Sequence, residues 1–151
     1  MDSSRGRRFA PVAAYAGQVS LPERKTARSA GYDLAAAADV VLEPGQVVLV
    51  PTGLKAYMEP DEVLLLTIRS SLAVKRGLML ANGVGVIDAD YADNPDNEGH
   101  IQVAMVNLGS LPVHLAKGER IAQGIFLKYL STCDDHAAGE RTGGFGSTGR
   151  I

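Results

Sequence analysis

The sequence predicts an all-β domain, a sandwich or a barrel, on three observations. Its apolar runs are short, rich in Val and Ile, and broken by turn residues at close intervals. A single segment has the character of a helix. The chain has 151 residues, 46% of them hydrophobic and 21% charged, which suits one folded domain with a real core.

Taken in order, Val47 to Val50 lies between Glu43-Pro44-Gly45 and Pro51-Thr52-Gly53, and Val63 to Ile68 follows Glu59-Pro60-Asp61. The helix spans Ser70 to Gly77. Either serine can cap its start, Lys75 and Arg76 suit its C-terminal dipole, and Gly77 can stop it. Next, Ile101, Val103 and Met105 alternate with Gln102, Ala104 and Val106 before a turn at Leu108-Gly109-Ser110. Val113 and Leu115 alternate again, Lys117-Gly118-Glu119 turns the chain, and Ile121 to Leu127 carries the last run. Beyond Lys128-Tyr129-Leu130 the composition changes to Asp134-Asp135 and scattered glycines around Phe145. Residues 1–130 therefore read as the folded domain and 131–151 as a flexible C-terminal arm.

A net charge of -2 argues against binding along a nucleic-acid backbone, so any phosphate site must be a local cluster. Cys133 is the sole cysteine, and His100, His114 and His136 are scattered, which disfavours a structural zinc. Arg5, Arg7 and Arg8 make the start basic, but no apolar run of signal-peptide or membrane-span length follows. A cytoplasmic protein, away from membranes, is the expectation.

Four segments carry residues with chemical potential. Arg69-Ser70-Ser71 places a cation and two hydroxyls at a helix N-terminus, where unpaired N–H groups favour anions. Gly83 to Tyr91 sets Asp88 at the end of an apolar strand, where a carboxylate can serve as a general base for water. Tyr91 offers a flat face to a sugar or base. A hairpin with aspartate turn residues accounts for the same letters. Asp33, beside Gly31, taken alone reads as a turn residue. Gln123, among apolar neighbours, taken alone reads as a residue facing solvent.

The order AGYDLAAA, RSSLAVKRG, GVIDADY, KGERIAQGIF and RTGGFGSTG resembles the five motifs of the trimeric dUTPase family, from about Leu21 to the C-terminus. The resemblance implies a jelly-roll-like β-barrel with one short helix and a mobile arm, assembled as a homotrimer. It implies hydrolysis of dUTP to dUMP and pyrophosphate with Mg2+. Asp88 matches the aspartate that activates water, and Tyr91 matches the tyrosine that leaves no room for a 2′-hydroxyl. Asn82 and the hairpin Gly83 to Asp88, including Val86 and Ile87, match the uracil pocket. Gln102 falls on the return strand beside it. Arg69, Ser70, Ser71 and Gln123 match phosphate-holding residues, and Asp33 matches a carboxylate near the metal, acting through water. Arg141, Phe145 and Gly146 match the arm that covers the γ-phosphate and uracil. The family pattern further implies active sites at subunit interfaces, with hairpin and arm donated by different chains.

Two departures from that pattern stand out. The segment Ala92 to His100 is longer than the Arg-Gly turn common in the family, and Arg141 lies one residue closer to Phe145 than in many members. A dCTP deaminase shares the fold but requires a glutamate on the strand after the helix, where none is placed. A dUTP-sensing module with a regulatory protein partner, docked on the 92–100 segment, is the alternative from another class.

Overall fold

The structure is a computed structural model that describes residues 6–146. Arg5 of the basic start and residues 147–151 of the expected arm lie outside the described residues. The strands are β1 (Arg8–Pro11), β2 (Tyr32–Ala35), β3 (Val40–Leu42), β4 (Val47–Pro51), β5 (Leu54–Tyr57) and β6 (Glu62–Ile68). After helix α1 (Ser70–Arg76) come β7 (Leu78–Leu80), β8 (Gly85–Asp88), β9 (Gln102–Asn107), β10 (Val113–Leu115) and β11 (Arg120–Lys128). A 3-10 turn occupies Ala13–Tyr15.

One antiparallel sheet has the order β2-β11-β6-β8 and another β4-β9-β7, with β1-β5 and β10-β3 as flanking pairs. Successive strands mostly enter different sheets, so the chain crosses back and forth over one core, as in a jelly roll. The all-β expectation and the jelly-roll-like fold hold.

Alternation sets which face is buried. In β6, Leu64 and Leu66 point inward and Val63 and Leu65 do not, and in β9 Val103 and Met105 do the same. These pack with Leu34, Leu42 and Ile121 into a continuous core, where each buried side chain contributes about 1.5–3 kcal/mol. Phe9 of β1 meets Tyr32 and Phe126 with ring centroids 5.5 and 5.3 Å apart, tying the first strand to the larger sheet. Buried Asn107 ends β9: its amide donates to the carbonyls of Leu42 (3.0 Å) and Leu111 (2.7 Å), and its oxygen accepts from the Gly109 amide (2.9 Å). That network builds the turn expected at 108–110.

The helix stops where expected, on Gly77 at φ 64°, in the left-handed region that glycine tolerates. Its start differs from expectation. Arg69 occupies the cap position in extended backbone, no side chain caps the helix, and Ser70 and Ser71 lie within its first turn. Leu72 is the helix's one buried residue, and Arg76 donates to Glu119 (2.7 Å) and to the His114 carbonyl (2.5 Å). The expected hairpin at Gly83–Asp88 is also different: β7 pairs with β9 and β8 with β6, so the turn at 81–84 joins strands of two sheets.

Candidate active site

That turn opens a pocket between the sheets. The Gly83 amide donates to the Leu80 carbonyl at 3.0 Å, and β8 then runs along β6 with Asp88 opposite Val63. The pocket encloses about 280 Å³. Its lining joins apolar Leu66, Leu80 and Val103 with polar Asn82 and Gln102, the 84–88 segment and Tyr91. Val86 and Ile87 line it too, whereas Gly83 shapes the turn without lining it.

Tyr91 is 7% exposed, and burial pushes its phenol up from the ordinary value. Asp88, at the strand end, keeps its side chain 52% exposed, open to water.

The arm forms the remaining wall. Residues beyond Lys128 make no strand or helix among those described, yet Arg141 and Phe145 both reach the pocket. Arg141 is paired with Asp88 and donates to Asp90 at 2.7 Å, and its guanidinium lies 5.9 Å from the Tyr91 ring centre. Gly144 rests on that ring: a Cβ there would come within 2.8 Å of Tyr91 Cε2. Phe145 stays 65% exposed, and Gly146 follows it without lining the pocket.

A second cluster forms around β2 and β11. Asp33, in β2 and not in a turn, pairs across the sheet with Gln123 of β11, which in turn faces Thr67 of β6. Arg69 Nε lies 4.0 Å from one Asp33 oxygen, and Arg120 donates to the other at 3.2 Å. Gln123 is half-buried against Gly31, where any Cβ would collide with its side chain, so it does not simply face solvent. Ser70 and Ser71 follow directly on the first helical turn. Arg120, inside the KGERIAQGIF segment, joins this cluster although the sequence alone carries no separate sign of it.

The two clusters remain apart within one chain. Asp88 is opposite Val63 and the Asp33–Gln123 pair is at the level of Thr67, four residues along β6, or about 13 Å. None of Asp33, Arg69, Ser70, Ser71 or Gln123 lines the pocket holding Asp88. No group of three His, Cys, Asp or Glu residues able to cage a metal occurs among the described residues. Both Asp33 oxygens already face arginines, so Asp33 can reach a hard cation only through water, in company with a phosphate that engages those arginines. No described helix is long and apolar enough to cross a membrane.

Comparison with known proteins identifies the family. A family model described as dUTPase matches residues 17–149. Deoxyuridine 5'-triphosphate nucleotidohydrolase of Lactococcus lactis is 52% identical over 133 residues, 87% of this chain and 89% of the relative. The enzyme of the same name from Desulfitobacterium hafniense is 46% identical over 138 residues, covering 85% and 87%. The crystal structure of dUTPase from Streptococcus mutans superposes with a TM-score of 0.80 at 49% identity, covering 83% of this chain and 98% of that one. The dUTPase of phage phi11 of S. aureus, 20% identical with a TM-score of 0.73 over 88% and 96%, shares the fold. With the family model running through nearly all of the sequence and the relatives matched almost end to end, the chain belongs to the dUTPase family and is an enzyme.

Proposed function

We propose that the chain hydrolyses dUTP to dUMP and pyrophosphate, with Asp88 activating the water that attacks the α-phosphorus. The observation that carries this reading is the pocket itself. A water-exposed carboxylate stands beside a base-sized cavity that Tyr91 also lines, with Arg141 of the arm paired to that carboxylate.

The roles follow from chemistry. Uracil enters the slot between the sheets, where the 84–88 segment and the side-chain amides of Asn82 and Gln102 line the space around its edge. Tyr91 packs on the deoxyribose and excludes a 2′-hydroxyl. The Asp88 carboxylate takes a proton from water as that water attacks, and pyrophosphate leaves in line. Arg141 exchanges its carboxylate partners for the γ-phosphate, which frees Asp88 to face the water, while Phe145 and Gly146 cover the base and keep bulk water out. Arg69, Ser70, Ser71 and Gln123 hold the remaining phosphate oxygens, with Arg120 beside them. Magnesium, held chiefly by the triphosphate and its waters with Asp33 as outer partner, would neutralise charge developing on the leaving group.

We infer further that the enzyme is a cytoplasmic homotrimer in which each pocket is completed by the phosphate cluster of a neighbouring subunit. The separation of the two clusters supports this, as do the exposed apolar side chains of Val47, Leu49, Val84 and Val86. The deaminase alternative is disfavoured by β7, whose residues Leu78, Met79 and Leu80 include no carboxylate. A regulatory partner docked on the 92–100 segment is the less favoured reading, because most polar side chains there bond within the chain.

Pyrophosphate release from dUTP, dCTP, dTTP and UTP, measured in parallel, tests the reading. Turnover is expected with dUTP alone at an appreciable rate, and UTP within tenfold of dUTP (an order of magnitude, about 1.4 kcal/mol) would overturn the assignment of Tyr91.

A further inference from the structure

The 92–100 segment forms a compact loop anchored at both ends to the body of the protein. Asp93 and Glu98 take φ values of 61° and 64°, a region unfavourable to residues with a Cβ. Each is held there by its side chain. Asp93 accepts from Lys55 Nζ (2.5 Å) and the Tyr57 hydroxyl (2.6 Å); Glu98 accepts from Lys55 Nζ (2.8 Å) and the Ala13 amide (3.1 Å). Burial pushes the Asp93 carboxyl up, but the bonds from Lys55 and Tyr57 outweigh it and hold the group below its ordinary value.

Inside this frame, hydrogen bonds converge on one phenol. Buried Asn94 accepts from the amides of Asp96 (3.0 Å) and Asn97 (3.1 Å), and donates to the Tyr91 carbonyl and to Asn97 Oδ1, both at 2.8 Å. Asn97 Oδ1 also accepts from the Gly99 amide at 3.0 Å, which fixes the orientation of its side-chain amide. Its Nδ2 is thereby aimed at the Tyr91 hydroxyl, 2.9 Å away, and that hydroxyl donates onward to the His100 carbonyl at 2.8 Å. Both hydrogen bonds of the Tyr91 hydroxyl thus come from the 92–100 segment.

We propose that Asn97 is a positioning residue for Tyr91, and through it sets the preference for deoxyribonucleotides over ribonucleotides. The inference rests on the reading of Tyr91 as the sugar-facing residue. A ring rejects a 2′-hydroxyl only as firmly as it is prevented from retreating. Asn97 and the His100 carbonyl hold the phenol end in place, and Gly144 of the arm sits against the ring where no side chain would fit. Asn97 touches no reacting atom in this scheme.

The test is a double-mutant cycle on the full chain with Asn97→Ala, Tyr91→Phe and both together, reading the ratio of kcat/KM for dUTP over UTP. Asn97→Ala is expected to lower that ratio about three- to tenfold, the range for one lost hydrogen bond. Tyr91→Phe, which also loses the bond to the His100 carbonyl, should lower it at least as much, and the double variant no further than Tyr91→Phe alone. An Asn97→Ala effect that persists in full in the Tyr91→Phe background would mean that Asn97 acts through the loop and not the phenol, and the proposal fails. If Asn97→Ala does not fold, Tyr91→Phe breaks the same bond from the ring side, and an unchanged ratio there equally overturns it. Tyr91→Ala separates the two levels of argument. If it abolishes selectivity while Asn97→Ala and Tyr91→Phe keep the wild-type ratio, the sugar-facing reading stands and the positioning role is wrong. If Tyr91→Ala keeps the ratio, both fall.

Discussion

The separation between Asp88 and the Asp33–Arg69–Gln123 cluster makes a quantitative demand on assembly. Within a chain they sit about 13 Å apart along β6, and the pocket around Asp88 contains none of the cluster. Two impaired parents expose the consequence. Asp88→Asn lacks the base and is expected to lose about 10²–10⁴ in rate while still binding dUTP. Arg69→Ala with Gln123→Ala keeps the base but loses charged and polar contacts to phosphate, about tenfold or more for the arginine alone. When equal amounts are co-refolded and mix at random, a site works if its pocket comes from the second parent and its cluster from the first. Two independent choices at one half each give about a quarter of sites, so about a quarter of wild-type activity should return. Differently tagged chains, captured in tandem, verify that mixed oligomers are present, and pyrophosphate release then reads the rescue. If mixed oligomers form and activity stays at the average of the parents, each chain builds its site alone and the interfacial reading is refuted. Replacing the cluster variant by a chain ending at Gly139 asks the same of the arm. Here Arg141 pairs with Asp88 of its own chain, whereas the family pattern has the arm acting on another chain's pocket.

Three other perturbations have defined outcomes. EDTA should suppress turnover strongly and magnesium restore it, whereas full activity in EDTA would remove the metal from the reaction. Gly124→Ala pushes a methyl to within 2.9 Å of Leu64 Cδ1 and 3.4 Å of Leu34 Cδ1 in the core, and should cost about 1–3 kcal/mol by urea unfolding. His100 is held below its ordinary 6.5 by burial, and its Nε2 accepts from the Gly53 amide at 2.9 Å. The unfolded chain therefore binds that proton more readily than the folded one. Its contribution is complete above 6.5 and falls as pH drops toward the lowered folded-state value. Urea midpoints at about pH 7.5 and pH 5 should diverge less in His100→Gln than in wild type, and equal divergence would remove His100 from the effect.

What the sequence reveals here follows from the range over which each signal acts. Val63 to Ile68 was legible as a short apolar run behind a turn signal and Ile101 to Met105 by alternation, both of them local signals. Gly77 was legible as a helix stop because a left-handed residue is a one-position event. The short strands β1, β2, β3, β5 and β7 were not, since three or four residues hold no readable period and gain their ladder bonds from partners far away in sequence. Asp33 illustrates the difference. Beside Gly31 it carries turn chemistry, and only pairing with β11 turns it into a strand residue facing Gln123. The serine caps failed for a related reason: Arg69 is still continuing β6 toward Ile121, its amide bonded to that carbonyl at 3.2 Å, so the cap position falls one residue earlier. The catalytic candidates were found because a family's motifs concentrate chemistry into contiguous letters. Asn94 and Asn97 escaped notice because nothing within 92–100 announces that their amides converge on a tyrosine's backbone and hydroxyl. Motif matching therefore picks out contiguous candidate residues, and the side chains that bond to them from a separate segment become visible only through three-dimensional hydrogen bonding.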